Sequence, residues 1–279
     1  MRKLTKPLAV GLLSTALTSG VALATPLSVT WDPGATTPAL NGSSFTQNNQ
    51  FIADYGTATV NAKTGAFTDS GYLVITQFNS GAGATGVGSN YSLFYTYNAS
   101  GMFTYNGAPG FSLAANTATP DVANFSNASF NFYGNATSNA KLGIAPPSAS
   151  GSMPSAPTGS ILLASSTTFY SGTGSITPAS SSLAASAGVV TNFVPNSSES
   201  GFFVTPVESG YAMGIYWNSA FTNTPGEQSA TYDSMTNDFI VTTNGGGGQA
   251  DFVPEPTSLA LLGSGLLGLG FVLRRQRRA

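Results

Sequence analysis

Tyr91-Ser92-Leu93-Phe94-Tyr95-Thr96-Tyr97 (YSLFYTY, residues 91–97) is the stretch that decides the fold class. Side chains alternate across a strand with a period of two. Tyr91, Leu93, Tyr95 and Tyr97 therefore share one face, and Ser92, Phe94 and Thr96 the other. Residues 129–133 alternate likewise, with Phe130 and Phe132 on one side.

Working outward, the same signal recurs. Residues 51–55 (FIADY) precede Gly56, and residues 57–60 (TATV) run toward a turn at Lys63-Thr64-Gly65. Residues 68–78 hold the β-branched and aromatic run YLVIT. Further strands are expected within 161–163, 167–170, 201–204, 211–217 and 238–242. Turn dipeptides such as Asn106-Gly107, Pro109-Gly110, Gly134-Asn135, Ser209-Gly210 and Pro225-Gly226 fall between them. No apolar stripe at helical spacing carries caps. Many short strands joined by polar glycine-rich turns predict an all-β fold, an antiparallel β-sandwich ectodomain.

Composition narrows the chemistry. The chain has 279 residues, no Cys and no His, and only 7% charged residues. Absent Cys excludes disulfides and thiolate chemistry, and absent His removes the commonest general base and metal ligand. Between residues 25 and 253 the only cations are Lys63 and Lys141, against ten acids, a net charge of −8. An acidic domain repels phosphate backbones, so nucleic acid is not an expected partner.

The two ends are of a different kind. Residues 1–24 read as a secretory signal peptide. Arg2, Lys3 and Lys6 precede a short apolar core, and Ala22 and Ala24 supply the small-x-small pattern for signal peptidase. At the other end, Val253-Pro254-Glu255-Pro256 is followed by an apolar run without charge and then by Arg274, Arg275, Arg277 and Arg278. This order predicts a transmembrane helix over 257–273, its arginine cluster a cytoplasmic stop that places the domain outside. Residues 144–160 (IAPPSASGSMPSAPTGS) hold four prolines and are read as a long loop within the ectodomain, 25–243. Residues 244–251, with four consecutive glycines, are read as a flexible tether to the sorting segment, 252–279.

The tetrad, apolar run and terminal arginine cluster resemble the PEP-CTERM sorting signal. The resemblance implies a protein of a Gram-negative bacterium, exported across the inner membrane. It also implies transient anchoring there, processing by an exosortase near Pro254, Glu255 and Pro256, and final residence at the cell surface or in the extracellular matrix. The ectodomain is similar to flocculation-associated PEP-CTERM proteins in residues 51–55, 68–78 and 91–95. That similarity implies a partner among extracellular polysaccharides and a role in flocculation or biofilm.

No catalytic residue, metal site or cofactor is expected. Carboxylate pairs that a glycosidase would need are Glu199 with Glu208 and Glu227 with Asp233, against a default of solvated surface acids. Ser138 to Lys141 and Lys63-Thr64-Gly65 match S-x-x-K and K-T-G in the wrong chain order and without S-D-N. Tyr91, Tyr95, Tyr97, Tyr216 and Trp217 are candidates for stacking on sugar rings, the alternative being core packing. Two readings therefore compete with a non-enzymatic matrix protein: a carbohydrate-active enzyme and a simple sugar-binding module.

Overall fold

The computed structural model describes residues 29–78, 85–104, 121–179, 182–205, 211–220 and 228–254. In chain order the elements are β1 (Val29–Trp31), β2 (Phe45–Gln47), β3 (Gln50–Asn61), β4 (Ala66–Phe78), β5 (Ser92–Thr104), β6 (Asp121–Asn135), α1 (Asn139–Leu142) and β7 (Ile161–Ser165). There follow β8 (Phe169–Ala179), β9 (Ser182–Asn192), β10 (Val194–Pro195), β11 (Phe203–Thr205), β12 (Tyr211–Ala220), β13 (Gln228–Asp233) and β14 (Asp238–Pro254).

Antiparallel pairing runs β6–β5–β4–β3–β14–β12–β9–β8, and residues 173–176 of β8 pair back onto residues 121–124 of β6. An eight-stranded barrel is thereby closed. The expected sandwich of two stacked sheets is replaced by one sheet rolled shut. Strand length explains the difference. Strands β4 and β5 have 13 residues each, β6 has 15 and β14 has 17. Strands this long carry enough twist and coil to bring the sheet edges together, and closure satisfies the edge hydrogen bonds. Sequence reading underestimated the length of β3 because Gly56, which separates the runs 51–55 and 57–60, lies inside it.

The glycine tract is corrected in the same way. Residues 244–251 are no tether; they belong to β14. Gly247 and Gly248 oppose Ala53 and Ile52 of β3 on one side, and Asn218 and Trp217 of β12 on the other. Gly245 is taken up in a bulge at φ 102°, a conformation open to glycine. Ladder hydrogen bonds are made by the backbone, so pairing on both sides outweighs the poor strand propensity of glycine. The strand continues to Pro254, past the expected domain end at 243.

Register defines the interior layers. Asp54, Leu73, Tyr95 and Phe132 lie side by side; so do Gly56, Gly71, Tyr97 and Phe130; so do Ala58, Asp69, Ala99 and Ala128. One end of the barrel is closed by the small sheet β11–β1–β2, whose Trp31 is fully buried among Phe45, Phe78, Phe132, Phe202, Phe203 and Phe252. Toward the other end Val60, Phe67 and Ala123 form a smaller apolar cluster with Phe103, Phe125 and Phe239.

The outside of β3–β6 is also covered. Residues 144–160 run across it as a strap. The Thr57 hydroxyl donates to the Pro147 carbonyl (2.6 Å), Tyr72 to the Ser155 carbonyl (2.9 Å) and the Asn135 amide to the Thr158 carbonyl (3.2 Å). Ser150 is hydrogen-bonded to Thr59 and Thr68, at 2.7 Å each. Below the strap Val74, Phe94 and Leu142 are buried with Tyr55, Tyr72, Tyr133, Ile144 and Ala156 packed around them. Prolines and small residues suit this role, because they lie flat on a sheet and lose little side-chain entropy.

Gly71 of β4 lies opposite Gly56 of β3. A Cβ there would meet the Tyr55 carbonyl oxygen and lie 2.6 Å from the Gly56 Cα, both backbone atoms that no rotamer change can move. Gly71→Ala is expected to cost roughly 1–3 kcal/mol, in the range of overpacking. Chemical denaturation checks this, and an unchanged midpoint would contradict the packing described.

Candidate functional site

Two places in the barrel carry chemistry. The first is a polar layer between the Trp31 plug and the Phe67 cluster. Gln50, Ile52 and Asp54 alternate onto the inner face of β3, as Asp69, Gly71, Leu73 and Ile75 do on β4. Tyr97 of β5 reaches between the two carboxylates, and its hydroxyl lies 3.1 Å from an oxygen of Asp54 and 3.1 Å from an oxygen of Asp69. The two carboxyl oxygens are therefore no more than twice 3.1 Å apart. Small neighbours make the room: a Cβ on Gly56 would fall against the Tyr97 hydroxyl.

The electrostatics follow from this enclosure. Burial, and then the charge of Asp69, push the Asp54 carboxyl well above the ordinary carboxylate range, against the lowering effect of its bond with Tyr97. Burial raises Asp69 to about 7, opposed by bonds from Tyr97 and the Ser70 backbone. Burial, followed by the two neighbouring carboxyl groups, holds Tyr97 well above its usual value. Two like charges this close in a poorly hydrated site favour retention of a proton. Asp54 and Asp69 each keep some accessible area, so their desolvation is strong but incomplete. One layer along, Tyr95 donates to the Gln50 side-chain oxygen, while the Gln50 amide nitrogen is buried without a partner.

The acids Asp54 and Asp69 are not among the carboxylate pairs weighed from sequence. Glu199 is buried at the end of a 3-10 turn, where it accepts the Thr37 backbone N–H at 3.1 Å. Asp233 accepts the Met235 N–H in the β13–β14 turn. Glu208 and Glu227 lie outside the described residues. Lys63 and Thr64 donate backbone N–H groups to Asn61 in the β3–β4 turn, and Ser138 precedes α1, so both short motif matches are turn and helix-start chemistry.

Three of the five sugar-stacking candidates belong to the core. Tyr91, Tyr95 and Tyr97 are buried at 0%, 0% and 3% exposure, so none presents a ring to an external sugar. The opposite face offers nothing better, because Ser92, Phe94 and Thr96 are each at 0%. Tyr216 and Trp217 lie in β12, opposite Gln249 and Gly248 of β14.

The second place is the end of β14. Met213, Ala212 and Tyr211 of β12 oppose Phe252, Val253 and Pro254. Phe252 is fully buried against Trp31, Phe193 and Phe203. Asn48 grips its backbone in both directions, accepting the Phe252 N–H at 2.6 Å and donating to the Phe252 carbonyl at 3.1 Å. The first half of the Val253-Pro254-Glu255-Pro256 tetrad is thus the last part of the barrel wall. Glu255, Pro256, the predicted helix 257–273, Arg274, Arg275, Arg277 and Arg278 lie outside the described residues, as do Ala22, Ala24 and the rest of the predicted signal peptide. Among the described residues no helix is long and apolar enough to cross a membrane.

Strand β14 ends at Pro254, within the Val253-Pro254-Glu255-Pro256 tetrad. Residues 252–278 match the PEP-CTERM protein-sorting motif, which implies an exosortase-processed protein that reaches the cell surface. No curated protein and no solved structure matches the chain.

Proposed function

We propose that the barrel is a non-enzymatic surface or matrix protein. It is anchored transiently by the 257–273 segment, processed by an exosortase and then associated with extracellular polysaccharide, where it promotes flocculation or biofilm. The observation that carries this reading is the match to the sorting motif at 252–278, contiguous with strand β14. Burial of Tyr91, Tyr95 and Tyr97 constrains the mechanism: association with polysaccharide does not use a platform of these three rings. The strap supports a structural role, since it gives a domain without Cys a second layer of hydrogen bonds to three strands, β3, β4 and β6.

Deletion in the producing bacterium tests the matrix role, with settling and retained polysaccharide as the readouts. Unchanged settling and retention would refute it. Changing Glu255 to Ala together with its two flanking prolines is expected to leave a larger, membrane-held form as the main species on immunoblots. Normal release of that variant would count against the sorting reading.

A second reading is kept because of one observation, the Asp54–Tyr97–Asp69 group. Carboxyl groups about 5 to 10 Å apart serve glycoside hydrolysis as acid and base or nucleophile. Incubating matrix polysaccharide with the native protein and with Asp54→Asn/Asp69→Asn decides it. Reducing ends released by the native protein alone would favour the enzyme.

A further inference from the structure

We propose that the barrel gates its own processing: the exosortase takes the sorting tetrad only after the last rungs of β14 have come away from β12. The inference rests on the reading of residues 252–278 as a working sorting signal, and it concerns how that signal is presented.

Strand β14 is held unequally along its length. From Gly247 to Ala250 it is paired on both sides, with β12 and with β3, and Gln50 is its last partner on β3. From Asp251 to Pro254 only β12 remains, through the pairs Gly214–Asp251, Met213–Phe252, Ala212–Val253 and Tyr211–Pro254. The Asn48 side chain supplies the missing side at one residue, Phe252. With its ring fully buried and its backbone clamped, Phe252 is the point at which peeling stops. Beyond it, Val253 and Pro254 are held by β12 alone.

Proteolytic enzymes bind substrate as a single extended strand, using the backbone groups that sheet pairing occupies. Val253 cannot pair with Ala212 and with an enzyme cleft on that same edge at once. Local opening of a strand end with few buried contacts is far cheaper than global unfolding. A short excursion of Val253 and Pro254 therefore exposes the tetrad while Phe252 keeps the barrel closed. A glycine tether would have made the tetrad permanently available; the paired glycine tract removes that slack.

The absence of cysteine allows a clean test. Directly opposed residues of antiparallel strands have Cα atoms about 4.5 to 5.5 Å apart, within disulfide reach. Full-length A212C/V253C, followed by pulse-chase in the producing bacterium, is expected to be processed at least tenfold more slowly when oxidised and to regain its rate on reduction. Asn48→Ala, which leaves the tetrad intact, is expected to speed processing several-fold while the barrel stays folded by circular dichroism. An oxidised double-cysteine chain processed at the native rate would overturn the gate. Should the reduced chain already stall, Asn48→Ala decides, and an unchanged rate in that variant would overturn the gate as well. Failure of the sorting reading itself is distinguishable, because the Glu255 and proline variant would then be released normally.

Discussion

Replacing Trp31 with alanine is expected to cost about 3–5 kcal/mol of folding stability, the range for deleting a buried tryptophan from a core. The indole is fully buried and has six phenylalanine neighbours at ring-centroid distances from 5.2 Å to 6.0 Å. These rings come from both sheets: Phe45, Phe202 and Phe203 from around the small sheet, and Phe78, Phe132 and Phe252 from the barrel. Trp31 is thus the joint between cap and barrel, and its Nε1 donates to the Gln47 carbonyl at 2.8 Å, which fixes the ring. Aromatic packing of this kind adds to area burial. At about 2–4 °C per kcal/mol for a domain of this size, the melting temperature should fall by roughly 6–20 °C. Trp31→Phe should recover part of the loss. A fall of less than about 2 °C for Trp31→Ala would mean that the cap does not stabilise the barrel.

Alternation in YSLFYTY identifies a strand, and β5 spans residues 92–104. Alternation says that two faces exist; it cannot say that both are covered. One face of β5 fills the barrel and the other lies under α1 and the strap, which come from residues 139–160. That is why Tyr91, Tyr95 and Tyr97 suggested a sugar platform and are core. Residues 244–251 failed for another reason. Glycine lacks the side-chain signal of a strand, yet a backbone flanked by β3 and β12 has its hydrogen-bond partners supplied by others. Strand β9, rich in Ala, Ser and Gly, was invisible on the same grounds.

The carboxyl pair was accessible in principle. Asp54 stands two residues from Ile52, and Asp69 two from Phe67, in runs where the same face is otherwise apolar or small. An acid on the apolar face of a strand is the sign of a buried polar site, and both acids carry it. What no sequence reading supplies is the register that sets Asp54 and Asp69 around a single tyrosine hydroxyl.

That arrangement makes stability depend on pH in a direction opposite to most carboxylates. An unfolded Asp ionises near 3.9, whereas burial raises Asp69 to about 7 and Asp54 well above the ordinary range. Between those values the folded state binds more protons than the unfolded one, so unfolding free energy falls as pH rises. The stabilisation is complete below about pH 4 and is lost progressively as pH passes through 7. The groups that face the pair come from three adjacent strands: Asp54 from β3, Asp69 from β4 and Tyr97 from β5. Lys63 and Lys141 are both exposed. Because each carboxyl group keeps some accessible area, roughly 2 kcal/mol is expected between pH 5 and pH 8 rather than the full shift. Asp69→Asn should remove part of this slope. Asp54→Asn/Asp69→Asn should flatten it and leave the protein more stable than the native chain at pH 8, since an amide beside Tyr97 has no charge to desolvate. Urea titrations at pH 5, 6.5 and 8 measure the effect. Stability rising with pH in the native protein, or an equal slope in the double variant, would show that the buried carboxyl pair is not the source.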